Sequence, residues 1–78
     1  MMHYRIIFYD LADKWEGELD SPSPLTCREA AGQVLAERGK DSGWLKGVIY
    51  RVGQDRLMPD STLDDGVCLC VHRLLGGG

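Results

Sequence analysis

Strict alternation and helical spacing divide the chain into its elements. Residues 4–10, Y-R-I-I-F-Y-D, are rich in β-branched and aromatic types and predict a strand that splits Tyr4, Ile6 and Phe8 from Arg5, Ile7 and Tyr9. After a charged turn, L-A-D-K at 11–14, residues 15–20 alternate without a break. Trp15, Gly17 and Leu19 share one face and Glu16, Glu18 and Asp20 the other, which is the pattern of a half-buried strand paired in a hairpin with the first. Ser21-Pro22-Ser23-Pro24 ends the hairpin, because proline has no amide hydrogen for a ladder. The period then changes. Cys27, Ala30, Ala31, Val34 and Leu35 form a one-sided helical stripe. Thr26 with Glu29 three residues on is a capping box, with Leu25 and Ala30 as its staple. Ser23 capping with Pro24 in the first turn is the competing start. The helix runs to about Arg38, and Gly39 is its left-handed stop.

Lys40 to Gly47 is a polar loop in which Trp44-Leu45 tucks back to close one end of the core. Residues 47–52 form a third strand, with Val48, Tyr50 and Val52 opposite Ile49 and Arg51. Leu57-Met58 is a scrap of strand ended by Pro59, and residues 61–66 form a loop with one anchoring leucine and a glycine turn. The last stretch, V-C-L-C-V-H-R-L-L-G-G-G at 67–78, is a strand running without a linker into three glycines. The expected order is ββαββ with a short extra strand before the last. Two hairpins flanking one helix let the first and last strands lie parallel in the centre, with the helix across one sheet face. That is an α+β chain of the β-grasp type: a mixed sheet of four to five strands packed on one helix. Its domain spans 1–73, and 74–78 is a flexible glycine tail.

Several strings in this layout resemble the ubiquitin-like family, and the resemblance covers the whole chain. L-A-D-K at 11–14 falls at ubiquitin's leucine-bearing hairpin turn, and V-I-Y at 48–50 is similar to its third strand. T-L-D-D-G at 62–66 resembles a turn shared with the thiamine and molybdopterin sulfur carriers, and R-L-L-G-G-G resembles the arginine- and leucine-bearing diglycine tail. The last strand has two registers. Matching R-L-L-G-G to ubiquitin turns Cys68 and Cys70 inward and leaves Gly78 as an overhang. Matching the chain end and the Asp65-Gly66 turn buries Leu69 and Val71 and makes Gly78 the working terminus. The second is preferred, because Val67, Leu69 and Val71 are the most apolar set. It gathers Ile7, Tyr9, Ile49, Cys70 and His72 on an outer face, with Leu11 at its edge, as an exposed surface for partners.

The resemblance implies a protein modifier, in which an activating enzyme of the E1 type uses ATP to adenylate the carboxylate of Gly78. The acyl group then passes to a cysteine and on to a target amine. Gly76, Gly77 and Gly78 would thread a narrow channel, since glycine has no Cβ to obstruct it, and Arg73, Leu74 and Leu75 would be the grip. A glycine, not an arginine, precedes the final pair, a departure from ubiquitin that bears on recognition by a ubiquitin-specific enzyme. Implied partners are that enzyme, an E2-like enzyme, a deconjugating or processing peptidase and the target protein. The alternatives are a sulfur carrier ending in a thiocarboxylate and a β-grasp interaction module that is never conjugated. The tail is closer to ubiquitin than to the sulfur carriers, which favour valine and alanine before Gly-Gly. Lys14, Lys40 and Lys46 are the only lysines able to accept another copy.

Composition narrows the rest. Seventy-eight residues make one domain, and a net charge of -3 with scattered Lys and Arg excludes a nucleic-acid surface. No paired carboxylates, Ser/His/Asp arrangement or phosphate-binding glycine loop is present, so a carrier is expected rather than an enzyme, with no cofactor. Three cysteines, with no signal peptide or long apolar run, predict reduced thiols, a cytoplasmic setting and no membrane segment. Weak local likeness to ubiquitin leans toward a bacterial relative. Cys68-x-Cys70-x-His72 puts three ligand types on one strand face, but five extended residues cannot readily wrap one tetrahedral zinc, so no metal is expected. His3 is expected at the surface, and Cys27 as a semi-buried structural thiol.

Overall fold

In a computed structural model, residues 1–10 and 13–74 are described. The chain is α+β, with one helix on a five-stranded mixed sheet. The elements are β1 (Met2–Asp10), β2 (Asp13–Ser21), α1 (Cys27–Glu37), a 3₁₀ turn (Ser42–Leu45), β3 (Val48–Val52), β4 (Asp55–Leu57) and β5 (Cys68–Arg73). The strand-helix order is therefore ββαβββ, with β4 as a full member of the sheet, in place of a plain ββαββ. In space the strands lie β2-β1-β5-β3-β4. β1 and β5 pair in parallel at the centre, Ile6 opposite Leu69 and Phe8 opposite Val71, and the other pairings are antiparallel.

Both hairpin strands run longer than the apolar pattern predicts. β1 begins at Met2 and β2 at Asp13, because each of these residues has a partner across the hairpin: Met2 opposite Ser21 and Asp13 opposite Asp10. α1 starts after Thr26, so the Ser23-Pro24 start does not occur. The Thr26 hydroxyl accepts from the Glu29 N–H at 3.1 Å, and the Glu29 carboxylate accepts from the Thr26 N–H at 2.9 Å. Two first-turn amides are satisfied by a loop distant in sequence, Cys27 N–H donating to the Ser61 carbonyl and Arg28 N–H to that of Pro59. The expected polar loop after Gly39 holds the 3₁₀ turn, which delivers Trp44 and Leu45 to the edge of the core.

The core forms between the inner sheet face and α1. Tyr4, Ile6, Phe8, Leu69 and Val71 from the two central strands are sealed against Cys27, Ala30, Ala31, Val34 and Leu35. That burial resolves the register of β5: Leu69 and Val71 point inward, while Cys68 and Cys70 sit half-buried on the other face. Leu63 plugs the open end and is tied by the Tyr4 hydroxyl, which donates to the Leu63 carbonyl at 3.0 Å and accepts from the Leu25 N–H at 3.2 Å. Gly17 lets β2 approach α1, since a Cβ there would lie 2.7 Å from Cγ1 of Val34. No helix among the described residues is long and apolar enough to cross a membrane.

Candidate functional site

Strand pairing assembles the outer sheet face row by row. Lys14, Tyr9, His72 and Ile49 fall in one row across β2, β1, β5 and β3, and Glu16, Ile7, Cys70 and Arg51 in the next. Alternation puts these side chains opposite the core. Ile7, Tyr9, Ile49, Cys70 and His72 are thus brought together as expected. They are half-buried, however, and not the exposed surface that the sequence predicts. The cause is mutual cover. The Tyr9 and His72 rings stack with centroids 4.6 Å apart and planes 5° from parallel, and the Lys14 ammonium lies 5.8 Å from the Tyr9 centroid. Burial, with the Cys68 thiol beside it, raises the Cys70 pKa, against a smaller opposing pull from Arg51. Cys70 therefore stays a neutral thiol and behaves as a small apolar side chain.

Charge rims this strip on the β2 side. Arg5 meets Glu16 at 3.5 Å, and His3 lies between two carboxylates, Nδ1 2.5 Å from Asp20 and Nε2 3.0 Å from Glu18. Both ring nitrogens can donate only in the imidazolium form. The hydrogen bond to Asp20 is the largest of several effects that raise the His3 pKa.

The second part of the site is the end of β5, where the chain leaves the sheet. Arg73 pairs with Asp10 on one side and Val48 on the other. Its Nη1 is 3.4 Å from the Asp10 carboxylate, and the guanidinium sits 5.2 Å from the Trp44 ring centroid. Trp44 packs edge-on against Phe8 and Trp15, at 5.4 and 6.0 Å, and Trp15 stacks on Phe8 at 4.1 Å. Arg38 covers the far side of Trp15 at 4.3 Å and donates to the Glu16 carbonyl. Two tryptophans and two arginines thus brace the point where the strand ends. The sequence placed Trp15 inward and Trp44 against the core, but the step from those positions to an arginine clamp needs the fold. Leu74, the next residue, is half-exposed at 49%. Leu11 of the predicted surface, and Leu75, Gly76, Gly77 and Gly78 of the predicted tail, lie outside the described residues.

Among the described residues no group of three His, Cys, Asp or Glu side chains is arranged to hold a metal ion. For Cys68, Cys70 and His72 the reason is geometric: one straight strand spreads them along a line and cannot close them round a point. Comparison with protein-family models and with curated proteins finds no match for this chain.

Proposed function

We propose that this protein is a β-grasp carrier of its own carboxyl group, a ubiquitin-like modifier activated at Gly78 and joined to amines on target proteins. The observation that carries this reading is the place of β5. The strand that runs into R-L-L-G-G-G is bonded on both sides, to β1 and β3, and its last residue is held by Asp10 and Trp44. A tail pulled into an enzyme's channel transfers load to a central strand, which cannot peel away as an edge strand can. The parallel β1–β5 pair under a single helix supports the β-grasp assignment.

A carboxylate is a poor acyl donor, so the chemistry needs an activating enzyme. The Gly78 carboxylate attacks the α-phosphorus of ATP and expels pyrophosphate, giving an acyl-adenylate. A cysteine thiolate of the enzyme displaces AMP to form a thioester. A target amine then displaces the thiolate and forms an amide. Gly76 and Gly77 give the channel no Cβ to exclude, while Arg73, Leu74 and Leu75 supply the grip. Ile7, Tyr9, Ile49, Cys70 and His72, with Leu11, form the surface that partners read. This protein supplies the acyl group and the recognition, and its partners supply the catalysis.

Intact mass spectrometry after incubation with an adenylating enzyme and ATP tests the proposal. Amide-linked adducts on lysine are expected. A terminus that exchanges one oxygen for sulfur would make the protein a sulfur carrier instead. Unchanged activity after removal of Gly77 and Gly78 would leave only an interaction module.

A further inference from the structure

We infer that the groove between the start of β3 and the first turn of α1 binds an extended acidic peptide of a partner protein. The site lies on the helix side of the sheet, apart from the outer face, and stands independently of the modifier reading.

The groove encloses about 310 Å³. Leu45, Val48 and Pro59 give it apolar walls, and Arg28 and Lys46 stand on its rim. The residue that points to a ligand is Tyr50. Its side chain is buried, with 3% exposure, yet its hydroxyl makes no hydrogen bond to any described residue. Tyr50 lines the groove together with Arg28, and no enclosed side-chain polar atom among the described residues is left without a partner. A phenol on a buried ring that lines a cleft together with a guanidinium is suited to donate to an acceptor placed there. Arg28 meets Asp60 at 3.2 Å, but both side chains are largely exposed, and such a pair yields readily to a better-placed anion. The first-turn amides of α1 are already bonded to the Ser61 and Pro59 carbonyls, so these side chains would carry the contact.

The sheet edge defines the shape of the ligand. β4 pairs only with residues 50–52 of β3. The two-residue connection at Gly53-Gln54 makes Val52 and Asp55 the closing hydrogen-bonded pair, so alternation turns the backbone N–H and C=O of Val48, like those of Tyr50, toward the β4 side. β4 has ended by then, and the residue that reaches this groove beyond it is Pro59, which has no N–H. A free strand edge beside an apolar groove is suited to β-strand addition. The cationic rim and the phenol select a carboxylate, and the walls select an aliphatic neighbour.

The test is an amide-shift titration of the full chain with a capped peptide of alternating valine and glutamate, acetyl-VEVEVEV-amide. Shifts are expected at Arg28 and at residues 46–50, with slowed exchange of the Val48 amide. The lysine counterpart, acetyl-VKVKVKV-amide, is expected to bind at least tenfold more weakly. Tyr50→Phe and Lys46→Gln, each with an unperturbed free spectrum, are expected to raise Kd at least threefold. Lys46 is exposed, so its variant keeps the test sound if the Tyr50 change disturbs the core. Equal binding of the lysine peptide, unchanged Kd in Lys46→Gln, or shifts centred elsewhere would overturn the inference. Isovalerate binding as tightly as the peptide would overturn the strand-addition mode.

Discussion

Tyr9 and His72 lie ring on ring across the parallel pair of central strands, 4.6 Å apart with nearly parallel planes. The stack joins strands separated by most of the chain and covers the middle of the outer face. Offset aromatic pairs are worth roughly 0.5–1.5 kcal/mol beyond the area they bury. A double-mutant cycle of Tyr9→Leu and His72→Ala, read by urea unfolding, should give a coupling energy in that range. Additive effects would mean that the rings merely share a surface.

The two deeply buried tyrosines should respond differently to loss of their hydroxyls. In Tyr4→Phe the Leu63 carbonyl and the Leu25 N–H both lose their buried partner. A cost of about 1–3 kcal/mol is expected. Tyr50→Phe removes a hydroxyl with no hydrogen-bond partner among the described residues and should change stability by less than about 0.5 kcal/mol. Equal losses in the two variants would show that ring packing alone matters.

Gly17→Ala should be destabilising by about 1–3 kcal/mol, as overpacking commonly is. The new methyl meets Val34 2.7 Å away. In a Val34→Ala background the obstructing Cγ1 is gone, and the same change should be nearly neutral. Thermal melts of the four proteins make the comparison. A penalty that persists without Val34 would place the strain in the backbone.

His3 should titrate above its ordinary value of 6.5, since hydrogen bonds to Asp20 and Glu18 favour the charged ring. A folded-state pKa raised above the unfolded one contributes stability that is complete below the unfolded value. It is lost as pH rises through the folded value. An NMR titration of the His3 ring should show the raised midpoint, and Asp20→Asn should lower it more than Glu18→Gln does. A midpoint indifferent to both changes would remove the bracket from consideration.

The parts of the fold that follow from period and packing were legible in the sequence. Every member of the predicted helical stripe, from Cys27 to Leu35, is buried, and the capping box forms as its spacing requires. Leu69 and Val71 turn inward because apolar alternation and the central position of β5 agree. What escaped depends on contacts between distant segments. Ser42–Leu45 is too short for a period to announce it as a helix, and polar Asp13 and Lys14 are in a strand because β1 lies opposite. The outer-face residues look exposed one at a time and shelter one another once aligned. The groove beside Tyr50 has no sequence signal, for it is lined by residues from α1, β3 and the segment after β4.

The central place of β5 also governs when the molecule can exist. Until Cys68–Arg73 has been made, the nascent chain can hold the sheet only as two separate hairpins, β1 with β2 and β3 with β4. Neither can close the sheet, because the strand that joins them is the last one synthesised. Contacts of such long sequence separation form late and slowly. A chain cut short before Cys68 would leave the inner edges of β1 and β3 unpaired, an invitation to proteolysis or aggregation. Completion of the sheet therefore waits on the same strand that leads into the segment after Arg73.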